Sequence, residues 1–382
     1  MFARAAVVLA GLMFVTGCAD GKRASAGPTV ASISAPPTTP SVVESEVQRV
    51  LGQRAAHTST MLSDGRVLVA GGCVVDGCSR ATDGTVVLSA DGQTATSGAF
   101  MSTPRSSHTA SLLPDRRLML VGGFPGEGLG VTDRVDLYDP ASGRMVSAPP
   151  LRQPRGGHAA VTLVDGRVLV VGGWVSSGRY TSSAEVIDPA KGSTTVADLP
   201  WSADALEAVL LNDGRVLVMG GQVAPGVGTK QSAVFEPSTG TWSSTPSMTT
   251  ARLKHFAVVL RDGRVFVMGG SPDDSDRLAS TEIFDPATGA FVAGPEMLER
   301  RYKFPGGAVV LADGRVLVAG GGHRAEIVDI DAMTSSAVGH ETNRQASFAT
   351  VNVLSQRKAI VIGGYDDNIQ LVDALRFIDI PD

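Results

Sequence analysis

Apolar residues in this chain fall into short runs that recur about every 50 residues, with turn residues between them. Many of these runs read like VLVAGG or VFVMGG, and their β-branched and apolar residues are typical of strands. The runs end in seven Gly-Gly pairs: Gly71-Gly72, Gly122-Gly123, Gly172-Gly173, Gly220-Gly221, Gly269-Gly270, Gly320-Gly321 and Gly363-Gly364. A fixed period of this length indicates structural repeats.

A second apolar strand precedes each of these runs, and a short polar turn separates the two. In five repeats the turn is Asp-Gly-Arg, beginning at Asp64, Asp165, Asp213, Asp262 and Asp313. Asp-Gly between apolar strands predicts a tight hairpin, because such turns need residues that accept a positive φ. Each repeat therefore begins with a strand A, a hairpin turn and a strand B.

A third strand follows in most repeats and ends in a proline, which stops strand pairing. These third strands are predicted at residues 134–140, 183–189, 232–237 and 281–286, and weaker fourth strands lie near Trp242 and Phe291. Four short strands in each period of about 50 residues describe the blade of a β-propeller. The sequence therefore predicts an all-β fold with seven blades.

The repeat resembles the kelch motif. The resemblance rests on Arg-x-x-His before strand A, Gly-Gly after strand B and an aromatic-acid-Pro third strand, and it covers residues 54–382. It implies a kelch-type propeller, similar to that of galactose oxidase-like proteins. Leu88-Ser89-Ala90-Asp91 and Asp329-Ile330-Asp331 depart from the third-strand pattern.

The last repeat ends at Arg376-Phe377-Ile378-Asp379, which matches a third strand. Its blade therefore lacks a fourth strand. We predict that an N-terminal strand at residues 44–50 completes this blade, because an unpaired sheet edge invites aggregation.

The N-terminus has the features of an export signal. An apolar run too short to span a bilayer ends in Val15-Thr16-Gly17-Cys18, which resembles the lipobox of bacterial lipoproteins. The resemblance implies that residues 1–18 form the signal and lipobox, with Cys18 as the lipidated residue. An ordinary secretory signal with an incidental cysteine is the alternative. Residues 19–43, rich in Ala, Ser, Pro and Thr, are predicted to be a disordered tether, and residues 44–382 the propeller. We expect an extracytoplasmic protein anchored to a bacterial membrane.

The remaining cysteines and the charge balance narrow the classes of partner. Cys73 and Cys78 are predicted to form a disulfide in an exported protein, and the alternative of a metal pair lacks further ligands nearby. The net charge of −5 argues against a nucleic-acid surface. We expect a monomer without metal or cofactor.

Propeller topology sorts the connections between strands into two faces. The A–B and C–D turns share one face, which we name the hairpin face. The B–C loops and the D–A connections share the other, which we name the loop face. The B–C loops differ from repeat to repeat, and variable loops on a rigid scaffold are where binding usually occurs. Phe124, Trp174 and Tyr180 in these loops are candidates for ligand contact, or they pack beneath the loops.

The D–A connections carry an Arg-x-x-His pattern in four repeats. Its candidate ligand-binding residues are Arg54, Arg105, Arg155 and Arg252 with His57, His108, His158 and His255. Repeat 4 has Ala203 and Leu206 instead, and repeat 6 has Lys303 and Gly306 at the equivalent positions. Either the arginines form a ring at the channel mouth that holds an anion such as a carboxylated sugar, or they are a structural consensus between blades. The histidines lack the close spacing typical of a zinc site.

No serine-nucleophile elbow or His-Glu-x-x-His motif is present. Copper oxidase activity is not expected, because the galactose oxidase-like site needs two tyrosines, two histidines and a tyrosine–cysteine crosslink, and the cysteines are assigned elsewhere. The leading hypothesis is a non-catalytic binding or scaffold module for a protein or glycan in the cell envelope. The alternative is a carbohydrate-active enzyme resembling a sugar-acid epimerase or lyase, whose scattered Arg, His and Glu leave no linear motif.

Overall fold

The computed structural model describes residues 45–381, apart from residues 177, 343 and 374. The predicted signal, Cys18 and the tether lie outside the described residues. The described residues form one compact unit. Six four-stranded antiparallel sheets and one three-stranded sheet follow one another along the chain. These seven sheets are the blades of the predicted propeller.

The strands of each blade run from the innermost, A, to the outermost in chain order. Blade 1 contains β1 (Thr58–Met61), β2 (Val67–Ala70), β3 (Thr85–Leu88) and β4 (Ala95–Ser97). Blade 2 contains β5 (Thr109–Leu112), β6 (Leu118–Val121), β7 (Val135–Asp139) and β8 (Arg144–Ala148). Blade 3 contains β9 (Ala159–Thr162), β10 (Val168–Val171), β13 (Ala184–Asp188) and β14 (Gly192–Thr195), with the B–C ribbon β11 (Trp174–Val175) and β12 (Arg179–Tyr180).

The second half of the ring repeats this plan. Blade 4 contains β15 (Glu207–Leu210), β16 (Val216–Met219), β19 (Ser232–Glu236) and β20 (Thr241–Ser244), with the ribbon β17 (Gln222–Ala224) and β18 (Val227–Gly228). Blade 5 contains β21 (Phe256–Val259), β22 (Val265–Met268), β23 (Thr281–Asp285) and β24 (Ala290–Ala293). Blade 6 contains β25 (Ala308–Val310), β26 (Val316–Val318), β27 (Ala325–Asp329) and β28 (Thr334–Val338). Blade 7 contains β29 (Thr350–Ser355), β30 (Lys358–Ile362) and β31 (Leu375–Asp379).

Strand B is apolar at almost every position because both of its faces are buried. In β2, Val67 and Val69 pack against blade 7, whereas Leu68 and Ala70 pack against blade 2. The period of two along a strand explains this division, since successive side chains point to opposite faces of the sheet. The core therefore consists of separate apolar layers between neighbouring blades.

A ring of backbone hydrogen bonds closes the wheel around its axis. One residue in each D–A connection has a positive φ between 46° and 62°. These seven residues, which we name the annulus, are Ala56, Ser107, Gly157, Ala205, Lys254, Lys303 and Phe348. The N–H of each donates to the carbonyl of the annulus residue in the preceding blade, and the N–H of Ala56 donates to Phe348 across the closing seam at 3.4 Å.

The segment predicted to be an N-terminal strand is instead helix α1 (Glu46–Leu51), so that detail of the predicted closure is wrong. Ser45 and Gln48 form a capping box that favours a helix at this point. Val47, Val50 and Leu51 share one helical face and pack into the apolar layer between blades 1 and 7. The described strands of blade 7 number three.

The disulfide between Cys73 and Cys78, whose α-carbons are 5.0 Å apart, shapes a loop beside the same seam. This loop includes a short 3₁₀ helix (Asp76–Cys78) and contacts blade 7 through several hydrogen bonds. The Asp76 carboxylate accepts from the N–H of Leu371 at 2.9 Å, and the hydroxyl of Tyr365 donates to the carbonyl of Val75 at 3.2 Å. Among residues 45–381, these contacts and the annulus hydrogen bond close the ring, and no blade contains strands from both ends of the chain.

Candidate functional site

A central cavity of about 460 Å³ lies at the axis, where the first residues of the A strands and the D–A connections of all seven blades face one another. Six of the seven annulus residues line it, together with Phe124 from a B–C loop. D–A residues also form bridges with the starts of the B–C loops, for example Ser106 with Phe124 and Gly156 with Trp174. The D–A connections and the B–C loops therefore share the loop face, as the topology predicted, and the cavity lies on that face.

The arginines of the Arg-x-x-His pattern do not line this cavity. Arg105, Arg155 and Arg252 are fully buried inside their own blades. The guanidinium of Arg155, for example, donates to the carbonyl of Gly172 at 2.8 Å and to the carboxylate of Glu185 at 2.9 Å. Asp136 is the carboxylate partner of Arg105, and Glu282 is the carboxylate partner of Arg252. These contacts assign the arginines a role in holding strand C to the D–A connection.

Arg54 differs because its blade has no carboxylate at the corresponding position. Its guanidinium donates to the carbonyl of Leu51 at the end of α1 and to the carbonyl of Gly71 at 3.3 Å. The carbonyls at a helix C-terminus carry partial negative charge, so α1 supplies part of what the carboxylate supplies elsewhere. Burial without an acidic partner lowers the pKa of Arg54 to about 10.

The alignment of repeat 6 with Lys303 and Gly306 is wrong. Arg301 occupies the buried arginine position there, with Glu326 as its partner at 2.8 Å. Phe304 occupies the histidine position, packed beside Gly269 of blade 5. The segment between Phe304 and the Asp-Gly turn of blade 6 is two residues longer than the segment between His255 and the turn of blade 5. An alignment that counts back from the turn therefore selects the wrong residues.

The four histidines line the cavity and also join neighbouring blades. Nε2 of His57, His108 and His158 lies 2.9–3.1 Å from the hydroxyl of a threonine in the preceding blade, namely Thr350, Thr58 and Thr109. Each ring also covers the first glycine of the preceding Gly-Gly pair: a Cβ built on Gly71 would lie 2.8 Å from Cε1 of His108. Burial lowers the pKa of His57, His158 and His255 to about 3, so these imidazoles are neutral.

His255 lacks the hydroxyl partner that the other three histidines have. Both of its ring nitrogens are buried without a hydrogen-bond partner. The residue that corresponds to Thr58 and Thr109 in the preceding blade is Glu207, which also lines the cavity. Burial raises the pKa of Glu207 to about 8, with no opposing charge or hydrogen bond to lower it. The sequence offered one signal for this site, a glutamate at a position occupied by threonine in three other repeats.

A charged group borders the same sector of the cavity. The Lys254 ammonium pairs with Asp274 at 2.5 Å, and the amino groups of Lys254 and Lys303 both lie over the ring of Tyr302. Burial, and to a smaller extent the positive charge of Lys254, lowers the pKa of Lys303 to about 8. Burial raises the pKa of Asp204 to about 7. Two of the six lysines in the chain occupy neighbouring annulus positions, a pattern that sequence analysis could have found.

Trp174 and Tyr180 lie opposite each other in the β11–β12 ribbon on the loop face. Trp174 contacts the ring of Phe124 with centroids 6.0 Å apart, and the Tyr180 hydroxyl accepts from the amide of Gln222. These aromatic residues therefore join the B–C loops of blades 2, 3 and 4 beside the cavity mouth. Whether they also contact a ligand stays a prediction.

The described part of the chain shows neither a metal-binding cluster nor a membrane-spanning helix. No cluster of three or more His, Cys, Asp or Glu residues there is arranged to hold a metal ion. No helix among the described residues is long and apolar enough to cross a membrane.

Comparison with known protein families finds the Kelch motif at residues 155–193 and 252–298, which correspond to blades 3 and 5. Both segments begin at a buried arginine of the Arg-x-x-His pattern and run through the Gly-Gly pair into strand C. Comparison with curated proteins finds no match. Together, the family match and the seven sheets support the predicted fold and its repeat type.

Proposed function

We propose that this chain, a seven-bladed propeller of kelch repeats, is a binding module whose central cavity receives a sugar unit of a glycan. The single observation that carries the proposal is the cavity of about 460 Å³ on the loop face, bordered by hydroxyls, imidazoles and carboxyl groups. Its size suits a small ligand or one unit of a larger one, and convergent polar groups in a preformed pocket are typical of ligand sites.

The chemistry of the lining favours a neutral, hydroxyl-rich ligand over an anion. The histidines are uncharged at neutral pH, and the raised pKa of Glu207 keeps most of its carboxyl group in the acid form. The ammonium of Lys254 is already paired with Asp274. The guanidiniums that suggested a carboxylated sugar are buried with internal partners. A polyol can instead exchange hydrogen bonds with the hydroxyl and imidazole groups of the wall.

A cavity-filling variant tests this proposal. Ala110 on β5 lines the cavity on the side of blade 2, and Ala110→Phe reduces its volume without touching the buried arginines. We expect glycan binding by the full chain on an array of immobilised glycans, and at least a tenfold loss of binding in this variant. Ala141→Phe, in an exposed turn of the hairpin face, is the matched control and should bind as the wild type does.

Two outcomes of the array experiment contradict the proposal. Binding that survives Ala110→Phe places the glycan outside the cavity. Absence of any glycan binding removes the ligand class and favours a protein partner on the loop face.

Catalysis is the second candidate, because the raised pKa of Glu207 is a property of general acids and bases. A kelch-type epimerase or lyase would convert a sugar acid, and Glu207→Gln would abolish that conversion while leaving binding intact. Binding without turnover of the bound sugar or of its uronic acid, followed by nuclear magnetic resonance, supports the non-catalytic module.

We propose in addition that Cys18 carries the lipid that holds the module on the outer side of a bacterial membrane. The proposal is supported by the sequence Val15-Thr16-Gly17-Cys18 alone. Two or more acyl chains give stable anchoring, whereas one gives only reversible binding. In cells fed radiolabelled palmitate, Cys18→Ala should lose the label and move the protein out of the membrane fraction. Unchanged labelling would place the modification elsewhere.

A further inference from the structure

In three blades, the residue two positions after the annulus residue is a threonine that contacts a histidine of the next blade. Thr350, Thr58 and Thr109 each offer a hydroxyl to the Nε2 of the next histidine around the ring, at 2.9, 3.1 and 2.9 Å. A buried imidazole without such a partner carries an energetic cost, because its polar atoms lose water and gain nothing in exchange. The threonine–histidine pair is therefore the ordinary, structural solution in this fold.

The contact between blades 4 and 5 keeps the histidine and removes the threonine. His255 is 1% exposed, and neither of its ring nitrogens has a hydrogen-bond partner. Glu207 at the threonine position is partly exposed to the cavity, and its longer side chain has more rotamers than threonine. At this point of the cavity wall, neither the imidazole of His255 nor the carboxyl group of Glu207 has a hydrogen-bond partner within the described part of the protein.

We propose that Glu207 and His255 form a ligand subsite in which a hydroxyl group of a neutral sugar takes the place of the missing threonine hydroxyl. The inference rests on the proposed function and names the part of the cavity that recognises the ligand. A rotamer change of Glu207 opens the space beside the imidazole. The ligand oxygen then bonds Nε2 of His255, while the Glu207 carboxyl group donates a second hydrogen bond to the ligand.

The proposed donor function requires the acid form of Glu207. The ionisable groups that line the cavity with Glu207 are His57, His108, His158, His255, Asp204 and Lys254. The four imidazoles are neutral, and Lys254 is neutralised by Asp274. Burial raises the pKa of Glu207 to about 8. Ionisation above that pH removes the donated hydrogen bond, so the affinity for the neutral sugar falls as the pH rises from 7 to 9.

The variant Glu207→Thr separates ligand recognition from folding. It restores the threonine–histidine pair found at the three other contacts, so we expect the full chain to fold and to melt at a higher temperature than the wild type. The same variant gives His255 an internal partner and leaves no place for the ligand hydroxyl. Isothermal titration calorimetry with glucose, galactose, mannose and N-acetylglucosamine, with glucuronate for comparison, measures the effect. We expect at least one neutral sugar to bind the wild type, and at least a tenfold loss of its affinity in Glu207→Thr.

Glu207→Gln tests the protonation requirement with the same sugars. Glutamine keeps a hydrogen-bond donor at every pH, so the variant should bind at pH 7 about as well as the wild type and keep that affinity at pH 9, where the wild type loses it. Glu296→Gln, at an exposed position, is the matched control and should show the wild-type pH dependence.

The outcomes distinguish the subsite from the cavity as a whole. A sugar that binds Glu207→Thr as strongly as the wild type, while Ala110→Phe abolishes its binding, overturns the subsite and leaves the proposed function in place. A wild type that binds none of the sugars overturns both. Stronger binding of glucuronate than of every neutral sugar overturns the neutral ligand class.

Discussion

Blades 3 and 4 are neighbours in the ring, but blade 3 matches the repeat pattern and blade 4 departs from it. Blade 3 has the complete set of a buried arginine, an acidic partner on strand C and a histidine at the contact with blade 2. Blade 4 has Ala203 and Leu206 at the arginine and histidine positions, followed by Glu207. In blade 4 the indole of Trp201 takes over one task of the arginine, since its Nε1 donates to the carbonyl of Gly220 at 3.2 Å.

The comparison shows that the residues that recur from blade to blade form the framework of the fold. Arg155 donates to two backbone carbonyls of blade 3 and supplies the cation for the buried carboxylate of Glu185, which also accepts from two backbone N–H groups. Leu206 fills the histidine position of blade 4 with an apolar side chain, packed against Gly172. The departures from the repeat, and above all Glu207, lie on the side of the cavity where we propose that a ligand is recognised.

Removing the arginine of blade 3 should have the largest effect on stability. Arg155→Met leaves the carboxylate of Glu185 buried without a cation, and breaking a buried pair on one side costs about 3–5 kcal/mol. Chemical denaturation at pH 7 measures the loss. Arg152→Met, at an exposed position, should change the free energy of unfolding by less than about 0.5 kcal/mol. If Arg155→Met costs no more than this control, the framework role is wrong. Arg155→Met combined with Glu185→Leu should recover most of the loss.

The histidines and the cavity carboxyl groups should give the ring a stability maximum near pH 6.5. A buried histidine with a pKa of about 3 binds fewer protons than in the unfolded chain, so stability is lost as the pH falls below the unfolded value of about 6.5. Glu207 and Asp204, with pKa values of about 8 and 7, bind more protons when folded, so stability is lost as the pH rises toward 8.

Replacing the histidine of blade 3 by the leucine of blade 4 isolates one of these contributions. His158→Leu should reduce the loss of stability between pH 7 and pH 5 by about 2 kcal/mol, because one proton less is taken up on unfolding. Denaturation curves at the two pH values provide the test. His340→Leu, at an exposed position, should leave the difference between the two pH values as in the wild type. Equal pH dependence in both variants would show that His158 is not buried in its neutral form.

Trp201→Phe should have the smallest effect of the three. The ring remains in the apolar layer, and only the hydrogen bond to Gly220 is lost. A lost hydrogen bond that leaves a buried carbonyl with fewer partners costs about 1–2 kcal/mol. Thermal unfolding measures it, with Trp242→Phe as the comparison, because the half-buried indole of Trp242 on strand β20 donates to the carbonyl of Ala197 at the surface, where water replaces the lost hydrogen bond. A cost equal to that of Arg155→Met would mean that the indole substitutes for the whole arginine and not for one of its contacts.

The repeat, the number of blades and the two faces of the wheel can be predicted from the amino-acid pattern. Those features follow from local chemistry: glycine at positive φ in the A–B turns and a strand period of two. The second strands are apolar at almost every position because they are buried on both sides. Gly65, for example, has a φ of 85° in the turn that Asp64 begins.

Which polar residues belong to the framework and which face the cavity depends on the folded chain. Arg155 and His158 are three residues apart in one motif, yet Arg155 is buried against Glu185 and His158 lines the central cavity. The strand prediction for residues 44–50 overlooked the capping box of Ser45 and Gln48, which is local, whereas only the folded chain shows that the C-terminus of α1 accepts from Arg54. Burial and partners are properties of residues brought together from different repeats, and no single repeat contains them.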